Sequence, residues 1–119
     1  MTVNNLQDRT FKYALSIIKL IKELEAEKVS YILINQLLRS GTSVGANVSE
    51  AKAASSRRDF TNYYTHALKS ANESKYWLDL IACSKYNDNI DLSPVLKETK
   101  EIANILAACI LSLKNKRAY

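Results

Sequence analysis

The chain has one histidine, two cysteines and a line of polar residues within an otherwise apolar stretch, and these are its main candidates for chemistry. A di-iron carboxylate bundle requires Glu-x-x-His on two helices, but the residue three before His66 is Tyr63. Zinc requires more ligands than His66 and the well-separated Cys83 and Cys109 supply. No spacing places a serine and an acid around His66 as a nucleophilic triad. In an antiparallel hairpin the cysteines would lie about 14 residues apart along the axis, or roughly 21 Å. A disulfide needs Cα atoms within about 7 Å, so both cysteines read as small core residues. Gly41 and Gly45 suggest a phosphate loop, but Ala46-Asn47 stands where Lys-Ser/Thr is required. These residues predict no catalytic, cofactor or metal site, and a chain that is not an enzyme.

Two other sets of residues carry more information. Arg39, Ser43, Asn47 and Glu50 step by four, four and three, so they share one helix face. Polar groups aligned in an apolar helix need partners, because burying them unpaired costs several kcal/mol. Glu73, Lys69 and Tyr76 are the available partners. The expectation is a structural network of Arg39, Ser43, Asn47, Glu50 and Glu73, with Arg39 paired to Glu73 or Glu50; a functional polar site is the sharper alternative. The second set is basic. Seventeen Lys and Arg against twelve Asp and Glu give a net charge of +5, which favours an anionic partner. Arg9, Lys12, Lys19, Lys22, Lys114, Lys116 and Arg117 are candidate nucleic-acid contacts; the alternative is a solvated basic face. Tyr63, Tyr64, Tyr76 and Trp77 could stack on bases, but their helical spacing fits packing better.

The elements that position these residues are helical. Two glycines and one proline in 119 residues are too few for the turns of an all-β domain. Four helices are expected: about Asn5–Ala26; about Ser30–Ala54; a third that begins after Ser55-Ser56, either of which could cap it, and runs to about Tyr86; and a fourth from Leu92 or Ser93 to the basic tail. Phe11, Leu15, Ile18 and Ile21 form one apolar line on the first, and Ile17, Leu20 and Leu24 a second. Its wet face carries Arg9, Lys12, Ser16, Lys19 and Lys22. On the third, Phe60, Tyr64, Ala67, Ala71, Ser74, Leu78 and Ile81 make a heptad seam. Tyr86-Asn87-Asp88-Asn89 reads as a loop. Pro94 is tolerated in the first turn of the fourth helix, whose stripe runs from Val95 to Leu113. Short loops imply an all-α, up-down-up-down antiparallel four-helix bundle in one domain, 1–119. Without an apolar leader or a span of membrane length, a cytoplasmic location and no membrane partner are expected.

The second helix departs from this pattern. The 27 residues from Val29 to Ser55 contain three charges, Arg39, Glu50 and Lys52, against seven between Asn4 and Ala26. A helix that is apolar or small all round is usually covered on more than one side, and in so short a chain the extra cover points to another subunit. A solvated Ser/Thr/Asn-rich face is the alternative. Gly41 and Gly45, one turn apart, allow close backbone approach or else mark a break.

Arg39-Ser40-Gly41-Thr42-Ser43-Val44-Gly45-Ala46-Asn47-Val48-Ser49-Glu50-Ala51 resembles the hallmark of the bacterial four-helix-bundle family encoded in intervening sequences of 23S rRNA genes. Phe60, Ala67, Ala71, Glu73 and Trp77-Leu78 match the later part of that pattern. Lys52 after Ala51 is a departure where many members carry glycine. The resemblance implies a four-helix bundle that assembles as a ring, typically a homopentamer. It also implies kinship with the accessory variability determinant proteins of diversity-generating retroelements, basic bundles that bind a reverse transcriptase and nucleic acid.

Two functions follow as expectations. The first is a non-enzymatic, homo-oligomeric binder of RNA or DNA without sequence specificity, since five copies at +5 carry +25. The alternative is a protein-interaction scaffold or accessory subunit for a reverse transcriptase of a diversity-generating retroelement.

Overall fold

The computed structural model describes residues 3–84 and 89–117, with side chains for 5–84 and 89–115. Helix α1 spans Val3–Ala26, α2 Tyr31–Glu50, α3 Arg57–Cys83 and α4 Ser93–Arg117, with a 3₁₀ turn at Ala51–Ala53. Contacts between helices set the register. Gly41 faces Ile17 and Gly45 faces Thr10. Ser40 meets Ser74, and Tyr13 meets Thr99. The indices run in opposite directions across α1–α2, and across α3–α4 Ile81 lies by Leu92 while Phe60 lies by Leu113, which together give the up-down-up-down antiparallel bundle. It is elongated, 51 × 22 × 22 Å.

The core is a continuous apolar column that includes Leu6, Ile17, Leu24, Leu37, Val44, Val48, Leu78, Ile102 and Leu106. On α1 the column takes Thr10, Tyr13, Ile17, Leu20, Ile21 and Leu24. Of the two apolar lines on this helix, the second packs inward, joined by Ile21 from the end of the first. Phe11, Leu15 and Ile18 from the first remain 64, 53 and 40% exposed. The α3 seam runs as expected from Tyr64 to Ile81, but Thr61 rather than Phe60 is buried at its head. Phe60 instead stacks on Tyr64 with ring centroids 4.6 Å apart.

Helix ends follow local chemistry. Ser56 caps α3 by accepting the Asp59 N–H at 3.0 Å, and the Asp59 carboxylate accepts the Ser55 N–H at 3.0 Å. The pair resembles a capping box, with the return bond made to the residue before the cap instead of to the cap itself. At the end of α1, Lys28 has φ 60°, while Val29 N–H bonds to Leu24 and Lys28 N–H to Glu25. That is a Schellman closure with lysine where glycine is usual. Helix α2 passes through both glycines without a break. It gives way to the 3₁₀ turn at Ala51, earlier than the expected Ala54. Helix α3 ends at Cys83 rather than Tyr86. In the expected loop, Asn89 lies in a bend, while Tyr86, Asn87 and Asp88 lie outside the described residues.

Both cysteines are free thiols. Cys109 is half-buried, and burial pushes its thiol pKa up. Cys83 is exposed on the last turn of α3 and is not the core residue the sequence suggested.

Candidate nucleic-acid interface and the signature helix

Close packing of α1 on α2 depends on the two glycines. A Cβ at Gly41 would lie 2.9 Å from Ile17 Cγ1, and one at Gly45 3.1 Å from the Thr10 carbonyl oxygen. Both distances are shorter than carbon–carbon or carbon–oxygen contacts allow without movement. On its other side α2 meets α3 through buried hydroxyls. Ser74 Oγ lies 2.9 Å from both Ser40 Oγ and the Ser70 carbonyl. The small residues of the signature are thus there for helix approach.

The polar line of α2 divides. Arg39 ion-pairs with Glu73 across the α2–α3 seam and donates to Gln36 Oε1 at 2.9 Å. Glu73 also accepts the Trp77 indole N–H at 3.1 Å. Gln36–Arg39–Glu73–Trp77 is therefore a connected surface network. Gln36 and Trp77 were not assigned to it from sequence. Ser43 and Asn47 do not reach it. Ser43 Oγ donates to the Arg39 carbonyl at 2.7 Å, and Asn47 Nδ2 to the Ser43 carbonyl at 2.9 Å. Glu50 is exposed and makes no ion pair with the described residues. Short polar side chains on a helix bond their own backbone more readily than they span to a neighbour, which is why shared-face spacing overstated this network.

The basic candidates also divide. Arg9 donates to Glu98 at 2.8 and 2.7 Å and to Glu101 at 3.1 Å on α4. Bonding to Glu98 raises the Arg9 pKa further. This fork–carboxylate clamp holds α1 to α4 and leaves Arg9 little capacity for a phosphate. Lys12 pairs with Asp8 at 3.0 Å. Lys19, Lys22 and Lys114 are exposed and make no ion pair with the described residues. The side chains of Lys116 and Arg117 lie outside the described residues.

His66 lies in an open depression of about 230 Å³ with Asp59, Asn62 and Tyr63. Among the described residues no group of three or more His, Cys, Asp or Glu could hold a metal ion. No helix of the described residues is long and apolar enough to cross a membrane.

The 23S rRNA-intervening sequence protein family matches residues 4–108, from the first turns of α1 deep into α4. The chain belongs to this family. It is also similar to a crystal structure of a protein of unknown function from the S23 ribosomal protein family of Bacteroides thetaiotaomicron. The two are 38% identical, with a TM-score of 0.85 over 92% of this chain and 98% of that one. No curated protein matches the chain. In this family member the signature stretch Arg39–Ala51 supplies the glycine-dependent α1–α2 contact of the four-helix architecture.

Proposed function

We propose that this protein acts without catalysis, as a cytoplasmic homo-oligomer that binds the phosphate backbone of RNA or DNA without reading bases. A ring of five is the assembly that the sequence resemblance implies. The observation that carries the binding reading is the set of exposed, unpaired lysines, Lys19, Lys22 and Lys114, on a chain of net charge +5. Repeated around an oligomer, such cations act together through counterion release. Assembly is supported by the outward line Phe11, Leu15 and Ile18, an apolar strip that isolated bundles rarely leave wet.

A second reading rests on the same strip. Its occupant would be another protein, with this chain as a scaffold or as the accessory subunit of a reverse transcriptase in a diversity-generating retroelement. Native mass spectrometry of the purified protein separates the two. Multiples of 13.4 kDa support self-assembly, and a 13.4 kDa monomer under all conditions favours the scaffold.

A further inference from the structure

Charge is segregated along the 51 Å axis of the bundle. The end formed by the close of α1 and α3 and the start of α4 carries Glu23, Glu25, Glu27, Asp79 and Asp91 against Lys22, Lys28 and Lys75, the last paired with Asp79 at 2.7 Å, so acids outnumber bases there. The opposite end is basic. There the α2–α3 corner brings Lys52, Arg57 and Arg58 together, all exposed. Lys52 and Arg57 line an open depression of about 370 Å³ with Ser56, Phe60 and Leu113, so the C-terminal part of α4, with exposed Lys114, lies beside them. None of these four cations makes an ion pair with the described residues. Asp59, the acid next to Arg58, is already engaged with the Ser55 N–H and hydroxyl, which leaves exposed Glu50 as the one uncommitted acid close in sequence to these four cations.

Arg57 and Arg58 also occupy the first turn of α3, the positive end of a helix dipole, where acidic residues are the stabilising choice. Asp59 in the same turn supplies one favourable charge, but local stability does not account for the two arginines beside it. A bound anion would relieve the conflict.

We infer that the α2–α3 corner, through Lys52, Arg57, Arg58 and Lys114, is the principal phosphate-contacting surface for nucleic acid. This deepens the proposed function and rests on it. The corner gathers four cations against the two acids Glu50 and Asp59, at the end of the bundle away from the acidic one, whereas Lys22 on α1 lies within that acidic end beside Glu23 and Glu25. Partner repulsion by the acidic end and attraction by the basic end would orient a nucleic-acid strand across the corner.

The test compares three full-length proteins by anisotropy titration with one labelled single-stranded RNA and one DNA duplex. They are the wild type, a corner variant (Lys52→Gln, Arg57→Gln, Arg58→Gln) and a charge-matched control (Lys69→Gln, Lys97→Gln, Lys100→Gln). Circular dichroism verifies that each is folded. The corner variant is expected to lose at least about tenfold in affinity at ~0.1 M salt, and its log–log salt slope to shrink by about 2 to 3. The control should change far less, because screening over ~10 Å mutes distant charges. Equal losses in both variants, or wild-type binding by the corner variant, overturn the corner assignment and leave nucleic-acid binding standing. A wild type that binds neither probe overturns the proposed function and this inference with it.

Discussion

The Tyr64 hydroxyl is buried with no hydrogen-bond partner among the described residues. An unpaired buried hydroxyl costs about 1–3 kcal/mol, so Tyr64→Phe should leave stability unchanged or raise it by roughly 1 kcal/mol in chemical denaturation. Burial also pushes its pKa up to about 12 from an ordinary 10.0. The unfolded chain therefore releases this proton first. Stability from Tyr64 is intact below pH 10 and declines as pH rises from 10 to 12. Tyr64→Phe should flatten that decline, and an unchanged alkaline profile would show that another group causes it. Lys28 is the second case. At φ 60° it holds a conformation that costs a side chain about 1–2 kcal/mol, so Lys28→Gly should stabilise the fold by up to about 1 kcal/mol. A loss of stability would mean that the lysine stem packs usefully there. Neither feature was legible in the sequence. Tyr64 falls on the predicted seam, but heptad spacing does not say whether a hydroxyl finds a partner. The closure of α1 lacks the glycine that marks such turns.

At the scale of elements, the contact between α1 and α2 carries the sharpest prediction. Alanine at Gly41 would gain about 1 kcal/mol in helix propensity but collide with Ile17 near its branched carbon. Overpacking of this kind costs roughly 1–3 kcal/mol, so Gly41→Ala should be net destabilising in urea melts. In an Ile17→Ala background the same change should cost less or stabilise. Additive effects of the two substitutions would mean that the helices adjust freely. Helix number, order and approximate ends were readable because 3.6-residue periodicity and capping serines are local signals. The inward face of α1 was not. Phe11-Leu15-Ile18-Ile21 and Ile17-Leu20-Leu24 are equally good apolar lines by spacing, and of the first only Ile21 is buried. Only packing against Gly41 and Gly45 selects the line containing Ile17. The same limit applies to Ser43 and Asn47, which share a face with Arg39 yet bond their own backbone.

For the whole molecule, the outward line on α1 and the basic corner are separate surfaces, and each can be altered without the other. Phe11→Ser with Leu15→Asp should change the stability of the single bundle by about 0.5 kcal/mol or less per site, since both positions are exposed. In native mass spectrometry the same variant should shift an oligomer toward monomer; an undiminished oligomer would place the contact elsewhere. Membership of the 23S rRNA-intervening sequence protein family was legible because its signature residues stand in one continuous stretch, Arg39–Ala51. The basic corner was harder to find. It joins Lys52, Arg57 and Arg58 to the C-terminal part of α4, which only the fold brings alongside. Nucleic-acid binding through charge is the property on which the proposed function depends. Its most direct test is a salt titration of wild-type binding to RNA and DNA from about 50 to 200 mM. Affinity should fall linearly on a log–log plot with a slope of several units and depend little on sequence. No measurable binding at about 50 mM, or binding indifferent to salt, would contradict it.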